Sequence, residues 1–148
     1  MDERSPYPLF EPAPSDAHDA EDAIEDLFTA YAGGFDDFDA AAIAACFAFP
    51  VTIWQAGRGN VFADEAELTE NIEALLAVFE REEIVHSTYR TIEAAGDGAS
   101  AFAVLDWRQE REDGEAALEF RCRYALVRIE PEPDADGPVW RIAFAVND

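Results

Sequence analysis

The stretch ASAFAVLDWRQEREDGEAALEFRCRYALVRIE, residues 99–130, carries the clearest secondary-structure pattern in the chain. Polar and apolar side chains alternate in its segments LDWR and EFRCRY, a period of two that indicates half-buried strands. Between the segments stands Asp113-Gly114, a pair typical of tight turns that need positive φ angles. We therefore predict a β-hairpin of two long strands, 99–111 and 115–130.

The register of this hairpin follows if the Asp-Gly pair forms a two-residue turn. Trp107 then lies opposite Phe120, and Leu105 lies opposite Cys122, on one face of the sheet. That face is apolar, with small residues such as Ala103 in its middle. It indicates either the floor of a ligand pocket or ordinary core packing under a helix.

The opposite face of the same hairpin is charged. Asp106 is predicted to lie opposite Arg121, with Arg108 and Arg123 at the diagonal positions. This cluster indicates either a solvated or dimer-interface ion network or an anion-binding site, in which Arg121 and Arg123 would clamp a carboxylate. A register shifted by one residue would instead turn Asp106 toward the pocket.

Three helices are predicted before the hairpin. Apolar residues at helical spacing indicate a first helix that begins near Asp19 and stops at Gly33-Gly34, and Asp39 caps a short second helix. A capping box at Asp64 precedes the third helix, whose apolar stripe consists of Leu68, Ile72, Leu75, Leu76 and Phe79. The other strands are predicted at 51–55, 59–62, 86–95 and 139–146.

Helices followed by strands predict an α+β fold, in which a curved antiparallel sheet packs against three helices and forms a cone. The interior of such a cone is a natural ligand pocket. Four prolines near the start predict an extended, acidic arm at residues 1–18, and residues 19–148 then form a single domain.

The composition excludes several functional classes. The chain has 148 residues, of which 49% are hydrophobic, and this suffices for a folded core without disulfide bonds. Its net charge of −23 repels phosphate groups, so no nucleic-acid partner is expected. The sequence has neither an apolar run of membrane-spanning length nor a leader pattern, so we expect a cytoplasmic protein with no membrane partner. The acidic excess indicates either a hydrated soluble surface or a salt-loving host.

Neither a metal nor a cofactor is expected. Cys46 and Cys122 lack the spacing of a metal site, and we predict that both are free, buried thiols. His18 and His86 are too far apart in the sequence to form a ligand pair. His86, which opens a predicted strand, is a candidate general base, although no motif with a serine or cysteine nucleophile accompanies it.

Three segments resemble the nuclear-transport-factor-2-like superfamily, which includes ketosteroid isomerases and SnoaL-like polyketide cyclases. They are LFTAY at 27–31, the helix start DAAAI at 39–43, and the passage FAFPVTIW at 47–54. The resemblance covers about residues 19–147. It implies the cone fold and a homodimer formed through the outer face of the sheet, but it specifies no reaction.

Ketosteroid isomerases hold a carbonyl group with a tyrosine and a protonated aspartic acid, and they use an aspartate as base. The resemblance puts Tyr31 at the tyrosine position, Gln55 at the position of the base, and Cys122 or Arg123 at the second donor. A neutral amide cannot accept an α-proton, and neither Cys122 nor Arg123 is a carboxylic acid. Steroid isomerisation is therefore not expected.

The leading hypothesis is a cone-fold protein that binds a small apolar or amphipathic organic molecule in its pocket. The candidate ligand-binding residues are Tyr31, Trp54, Trp107, Cys122, His86 and Asp106. Catalysis stays open: proton-transfer, cyclase or lyase chemistry would use Tyr31 as a hydrogen-bond donor, and Asp106 or His86 for proton transfer if either faces inward. The alternative is a non-catalytic homodimeric interaction or scaffold protein whose pocket is filled by its own aromatic side chains.

Overall fold

The computed structural model describes residues 14–129 and 139–148. They form three helices and six strands. In chain order these elements are α1 (Pro14–Asp36), α2 (Ala40–Ala44), β1 (Phe47–Gln55), β2 (Arg58–Phe62), α3 (Glu65–Arg81), β3 (Ile84–Gly96), β4 (Ser100–Arg111), β5 (Ala116–Ile129) and β6 (Val139–Asn147). None of the described helices is long and apolar enough to cross a membrane.

The start of α1 corrects the predicted boundary of the arm. Because α1 begins at Pro14, residues 14–18 belong to the helix. The remainder of the predicted arm, 1–13, lies outside the described residues, as does the predicted loop 131–138.

The two glycines near the end of α1 do not stop the helix, contrary to the prediction. The helix continues through Gly33 and Gly34 to Asp36. A Cβ atom at Gly34 would lie only 2.8 Å from Ile43 Cγ1 and 3.3 Å from the Ile43 backbone nitrogen. Gly34 therefore permits the close approach of α2 to α1, which is a packing role and not a terminating one.

Helix α1 instead ends in a Schellman motif centred on Phe38, whose φ of 53° is left-handed. The Phe38 N–H donates to the Phe35 carbonyl at 3.1 Å, and the Asp39 N–H donates to the Gly34 carbonyl at 2.9 Å. The Asp39 carboxylate then accepts a hydrogen bond from the Ala42 N–H at 3.1 Å. The prediction that Asp39 caps α2 is confirmed.

The cap of α3 is also confirmed. Asp64 Oδ1 accepts a hydrogen bond from the Glu67 N–H at 3.0 Å, and Glu67 Oε1 accepts one from the Ala63 N–H at 2.9 Å. The apolar stripe packs inward except for Leu75, which is 39% exposed. The buried members of the stripe are Leu68, Ile72, Leu76 and Phe79.

The sheet has the strand order β2-β1-β6-β5-β4-β3 and is not closed. Its neighbours are antiparallel except for β1 and β6, which pair in parallel. The sheet is therefore antiparallel, as predicted, except at this one pair, which makes it mixed. The parallel pair arises because β6 inserts between β1 and β5.

The predicted register of the β4–β5 hairpin is confirmed, although its turn differs from the prediction. Trp107 pairs with Phe120, Leu105 with Cys122 and Asp106 with Arg121. The loop has three residues, 112–114, because the Arg111 N–H donates to the Glu115 carbonyl at 2.9 Å. Its one-residue offset is cancelled by a bulge at Ala117, since Gln109 pairs with Leu118 but Glu110 pairs with Ala116.

The three helices pack on one face of the curved sheet, and the core lies between these two layers. The inner face of β4 and β5 consists of alternate residues, which is why their side chains are buried while their neighbours are not. These buried residues are Ala103, Leu105, Trp107, Gln109, Cys122, Tyr124 and Leu126. The α+β fold predicted from the order of the elements is confirmed.

The adjacent glycines of α1 give a matched test of this packing. Gly33→Ala is expected to raise the free energy of unfolding by up to about 1 kcal/mol, because a methyl group there meets no atom within 4 Å and favours the helix. Gly34→Ala is expected to lower it by about 1–3 kcal/mol, because the methyl group presses α2 away. Urea denaturation of the two variants measures both changes, and equal effects of the two substitutions would contradict the packing role of Gly34.

Candidate functional site

A cavity of about 400 Å³ opens between the inner face of the sheet and helices α1 and α3. Most of its wall is apolar or aromatic, which is typical of sites for small organic molecules. The lining residues come from every element of the fold except α2, β2 and β3. They are Tyr31, Phe35, Phe47, Ile53, Gln55, Ala56, Leu75, Phe79, Trp107, Gln109, Leu118, Phe120, Cys122, Tyr124, Ala145, Asn147 and Asp148.

Tyr31 projects from α1 into an aromatic wall. Its ring packs edge-on against Phe35 at 5.2 Å and against Phe47 and Trp107 at 5.7 Å between centroids. Its hydroxyl forms no hydrogen bond within the described residues. In that part of the chain no side-chain oxygen is both unpaired and inaccessible to solvent. The hydroxyl is therefore open to the cavity. Burial raises the pKa of Tyr31, so the phenol keeps its proton and is a donor at neutral pH.

The Tyr124 hydroxyl satisfies the indole N–H of Trp107. Trp107 Nε1–H donates to the Tyr124 hydroxyl oxygen at 2.8 Å, and both residues are buried. Cys122 lies next to them on β5, and burial raises the pKa of its thiol to about 11. The thiol is therefore neutral at physiological pH and presents a weakly polar surface to the cavity.

Polar groups also occur where the wall reaches the ends of β1 and β6. Gln55 and Asn147 line the cavity there, together with Asp148. The carboxylate of Asp148 forms an ion pair with the Arg123 guanidinium. Asp148 is the only carboxylate among the described residues that line the cavity. The two exposed leucines Leu75 and Leu118 form an apolar part of the rim.

The structure brings together three of the six candidate site residues: Tyr31, Trp107 and Cys122 line the same cavity. Trp54 does not. Its neighbours Ile53 and Gln55 face the cavity, so Trp54 points to the opposite side of β1, where it is 42% exposed and covers Gly59. The expectation that Trp54 contributes to the pocket is thus corrected by the alternation of side chains along the strand.

His86 also lies outside the cavity. Its Nδ1 is 2.7 Å from Asp36 Oδ2, and the other oxygen of Asp36 accepts a hydrogen bond from the Ser87 N–H at 2.7 Å. Asp36 therefore joins the last turn of α1 to the start of β3. The candidate role of His86 in proton transfer at the ligand is corrected, because its ring faces the surface and not the pocket.

Asp106 lies on the outer face of the sheet, as the confirmed register requires. Arg121 Nε donates to Asp106 Oδ1 at 2.7 Å, and Arg90 on β3 adds a contact of 3.2 Å to Oδ2. The hydrogen bond from Arg121 lowers the pKa of Asp106 to about 2. Asp106 is therefore part of an ion network on the outer face, and its candidate role as a pocket residue is corrected.

Most residues of the wall were not among the candidates predicted from the sequence, and two of them, Gln109 and Phe35, were missed for different reasons. Gln109 follows Trp107 by two positions on the same strand, so the alternation that identified Trp107 also puts Gln109 on the inner face. Phe35 lies beyond the glycines at which helix α1 was expected to stop, so no helical face was assigned to it. The positions that the resemblance aligned with the isomerase site, Tyr31, Gln55 and Cys122, do line one cavity.

The ion network predicts a specific pH dependence. Because the folded-state pKa of Asp106 is depressed from 3.8 to about 2, the stability that its charge contributes is present above pH 3.8 and is lost as the pH falls through about 2. Asp106→Asn is expected to be less stable than the wild type near pH 6, with a deficit that shrinks toward pH 2. Urea denaturation across this range measures the deficit.

Glu70→Gln is the control for net charge, because Glu70 is exposed on α3 and forms no ion pair among the described residues. A deficit of Asp106→Asn that stays constant down to pH 2 would contradict the role of the Asp106 charge.

Comparison with known proteins identifies a family to which the sequence is similar. The profile of a family described as NTF2-like protein (DUF6841) matches residues 20–147. No curated protein matches the chain.

Several solved structures have a similar fold at low sequence identity. An NTF2-like protein of unknown function from Shewanella oneidensis is 14% identical, with a TM-score of 0.66 over 86% of this chain and 98% of its own. A ketosteroid isomerase-like protein from Erwinia carotovora atroseptica is 21% identical, with a TM-score of 0.59 over 85% and 92%. The protein Aln2 from a Streptomyces species is 17% identical, with a TM-score of 0.64 over 93% and 92%.

At these sequence identities, the similarity to the solved structures shows the fold alone. The family profile, in contrast, matches most of the chain. The chain belongs to the family of NTF2-like proteins described as DUF6841.

Proposed function

We propose that this protein binds a small, largely apolar organic molecule in the cavity beside Tyr31. The observation that carries the proposal is the open space of about 400 Å³, which Trp107 and Phe120 line and do not fill. A pocket plugged by its own aromatic side chains would have favoured a scaffold. A volume of this size accommodates a ligand of one or two rings.

The residues of the wall favour binding over proton-transfer, cyclase or lyase chemistry. Such reactions need a base that is unprotonated near pH 7 and reaches the ligand. Tyr31 and Cys122 keep their protons because burial raises the pKa of each group. Asp148 is the one lining carboxylate in the described part of the chain, and it is paired with Arg123. Among the described residues, Asp148 is thus the lining carboxylate on which a SnoaL-like reaction in this cavity would depend.

Binding can be tested with N-phenyl-1-naphthylamine, a neutral apolar dye whose fluorescence rises when it leaves water. We expect saturable binding with one site per chain. Leu118→Trp is expected to weaken binding at least roughly fivefold, because the larger side chain extends over the rim of the cavity.

Val85→Trp is the matched control, because Val85 is 46% exposed on β3 and does not line the cavity. It should leave the dissociation constant unchanged. Absence of saturable binding, or equal weakening by the two substitutions, would overturn the proposal.

We further propose that two copies of the chain associate through the outer face of the sheet. A row of residues crosses this face from β2 to β4, because Val61 pairs with Thr52, Thr52 with Phe144, Phe144 with Ala125, and Ala125 with Phe102. Phe144 and Phe102 are 39% and 42% exposed, and Val61 is 65% exposed. An exposed apolar patch of this kind is typical of an interface.

Charge favours a second copy as the occupant of this face. A chain with a net charge of −23 repels its copies wherever carboxylates dominate the surface, as on α3. The outer face instead carries Arg90 and Arg121 around Asp106, with Arg123 beside them. These arginines largely balance the carboxylates of Asp106 and Asp148 with which they pair, so the surface next to the apolar row is close to neutral and two copies can approach there without strong repulsion.

Light scattering after size-exclusion chromatography tests this proposal. We expect a mass of about twice the 16.4 kDa of the chain, and a shift to the monomer mass in the double variant Phe102→Asp and Phe144→Asp. Val85→Asp adds charge at an exposed apolar site away from the row and should leave the dimer intact. A wild-type monomer at all concentrations, or a dimer that survives the double variant, would contradict the proposal.

A further inference from the structure

Gln109 is a polar residue almost completely buried in the wall of the cavity. It is 3% exposed, lies on the inner face of β4 and lines the cavity. Its Oε1 accepts a hydrogen bond from the Ser87 hydroxyl on the neighbouring strand β3. The two residues are directly opposite each other in the sheet register.

The amide nitrogen of Gln109 has no hydrogen-bond partner among the described residues. No side-chain nitrogen in that part of the chain is both unpaired and inaccessible to solvent. The nitrogen is therefore open to the cavity, and its two N–H donors are available to a ligand.

Ser87 determines which end of the amide faces the ligand. Ser87 is 4% exposed, and its hydroxyl has no other partner among the described residues. A flipped amide would put the NH₂ group against the hydroxyl oxygen and leave the hydroxyl proton without an acceptor, which is costly in a buried site. Asp36 fixes the position of Ser87, because its Oδ1 accepts the Ser87 N–H at 2.7 Å.

We propose that Gln109, oriented by Ser87, is a specificity-determining residue that selects ligands with a neutral acceptor oxygen, such as a ketone or an aldehyde. This inference rests on the proposed binding function of the cavity. An apolar group placed against Gln109 would leave the buried donors unpaired, whereas a carbonyl oxygen would accept a hydrogen bond from them. A carboxylate ligand is disfavoured by the net charge of −23.

Two probes of nearly the same shape separate recognition of the oxygen from burial of the rings. They are 2-acetylnaphthalene, a ketone, and 2-isopropenylnaphthalene, in which a CH₂ group replaces the oxygen. Isothermal titration calorimetry gives the ratio of their affinities, and comparing this ratio between variants removes the difference in their hydrophobicity.

Gln109→Met keeps the length of the side chain and removes the donors. We expect the ratio of ketone to hydrocarbon affinity to fall roughly five- to tenfold in this variant. Ser87→Ala releases the amide and should lower the ratio by a smaller factor, whereas Ser87→Thr keeps the hydroxyl and should restore the wild-type ratio. A merely structural role of Ser87 would weaken both probes equally and leave the ratio unchanged.

The possible failures are distinguishable. Binding of both probes with a ratio that Gln109→Met does not change would overturn the role of Gln109 and leave the proposed binding function intact. Binding of neither probe to the wild type would overturn the proposed function and this inference together. Near-ultraviolet circular dichroism of each variant verifies that its aromatic wall is still packed.

Discussion

The pairing register of β4 with β5 is the constraint on which the rest of the structure depends. Side chains alternate between the two faces of a strand, so a slip of one residue would exchange Trp107 and Gln109 for Asp106 and Arg108 in the wall of the cavity. The register is set next to the turn of the hairpin. A three-residue loop displaces the pairing by one position, and the bulge at Ala117 restores it. The same pairing puts Asp106 against Arg121 on the outer face, so one register satisfies the apolar and the charged side of the sheet together.

Local signals explain why much of the fold could be predicted. The caps Asp39 and Asp64 act on backbone groups within three residues, and the alternation around Trp107 is a property of single strands. The predictions that were wrong concern features that depend on contacts between residues far apart in the sequence. The parallel pairing of β1 with β6 joins the first and last strands, and no local pattern encodes it. Gly34 was misinterpreted for the same reason, since its lack of a side chain serves the approach of Ile43 and not the end of its own helix.

The residues of the candidate site also differ in whether local sequence signals or contacts between distant residues determine their positions. Cys122 was identified from the apolar face of its strand and Tyr31 from the resemblance to ketosteroid isomerases, and the structure puts both in one wall. His86 was misassigned because its partner, Asp36, comes from α1, fifty residues earlier in the chain. The orientation of the Gln109 amide could not be predicted at all, since it depends on a hydroxyl group of another strand. The hydrogen bond between Ser87 and Gln109 therefore determines which polar atoms of Gln109 face the cavity.

The contact between Asp36 and the start of β3 has a mechanical consequence for the dimensions of the cavity. One rigid helix carries Tyr31 in the wall and, slightly more than one turn later, the carboxylate that anchors Ser87 beneath Gln109. Tyr31 and Gln109 are thus connected through α1 and the contact of Asp36 with Ser87, and not through a loop. Widening the wall for a bulkier ligand would therefore require the hydrogen bond between the Ser87 N–H and Asp36 to break or the end of α1 to move away from β3. Changes of ligand size in evolution are therefore expected at the side chains of the wall, with the backbone frame left unaltered.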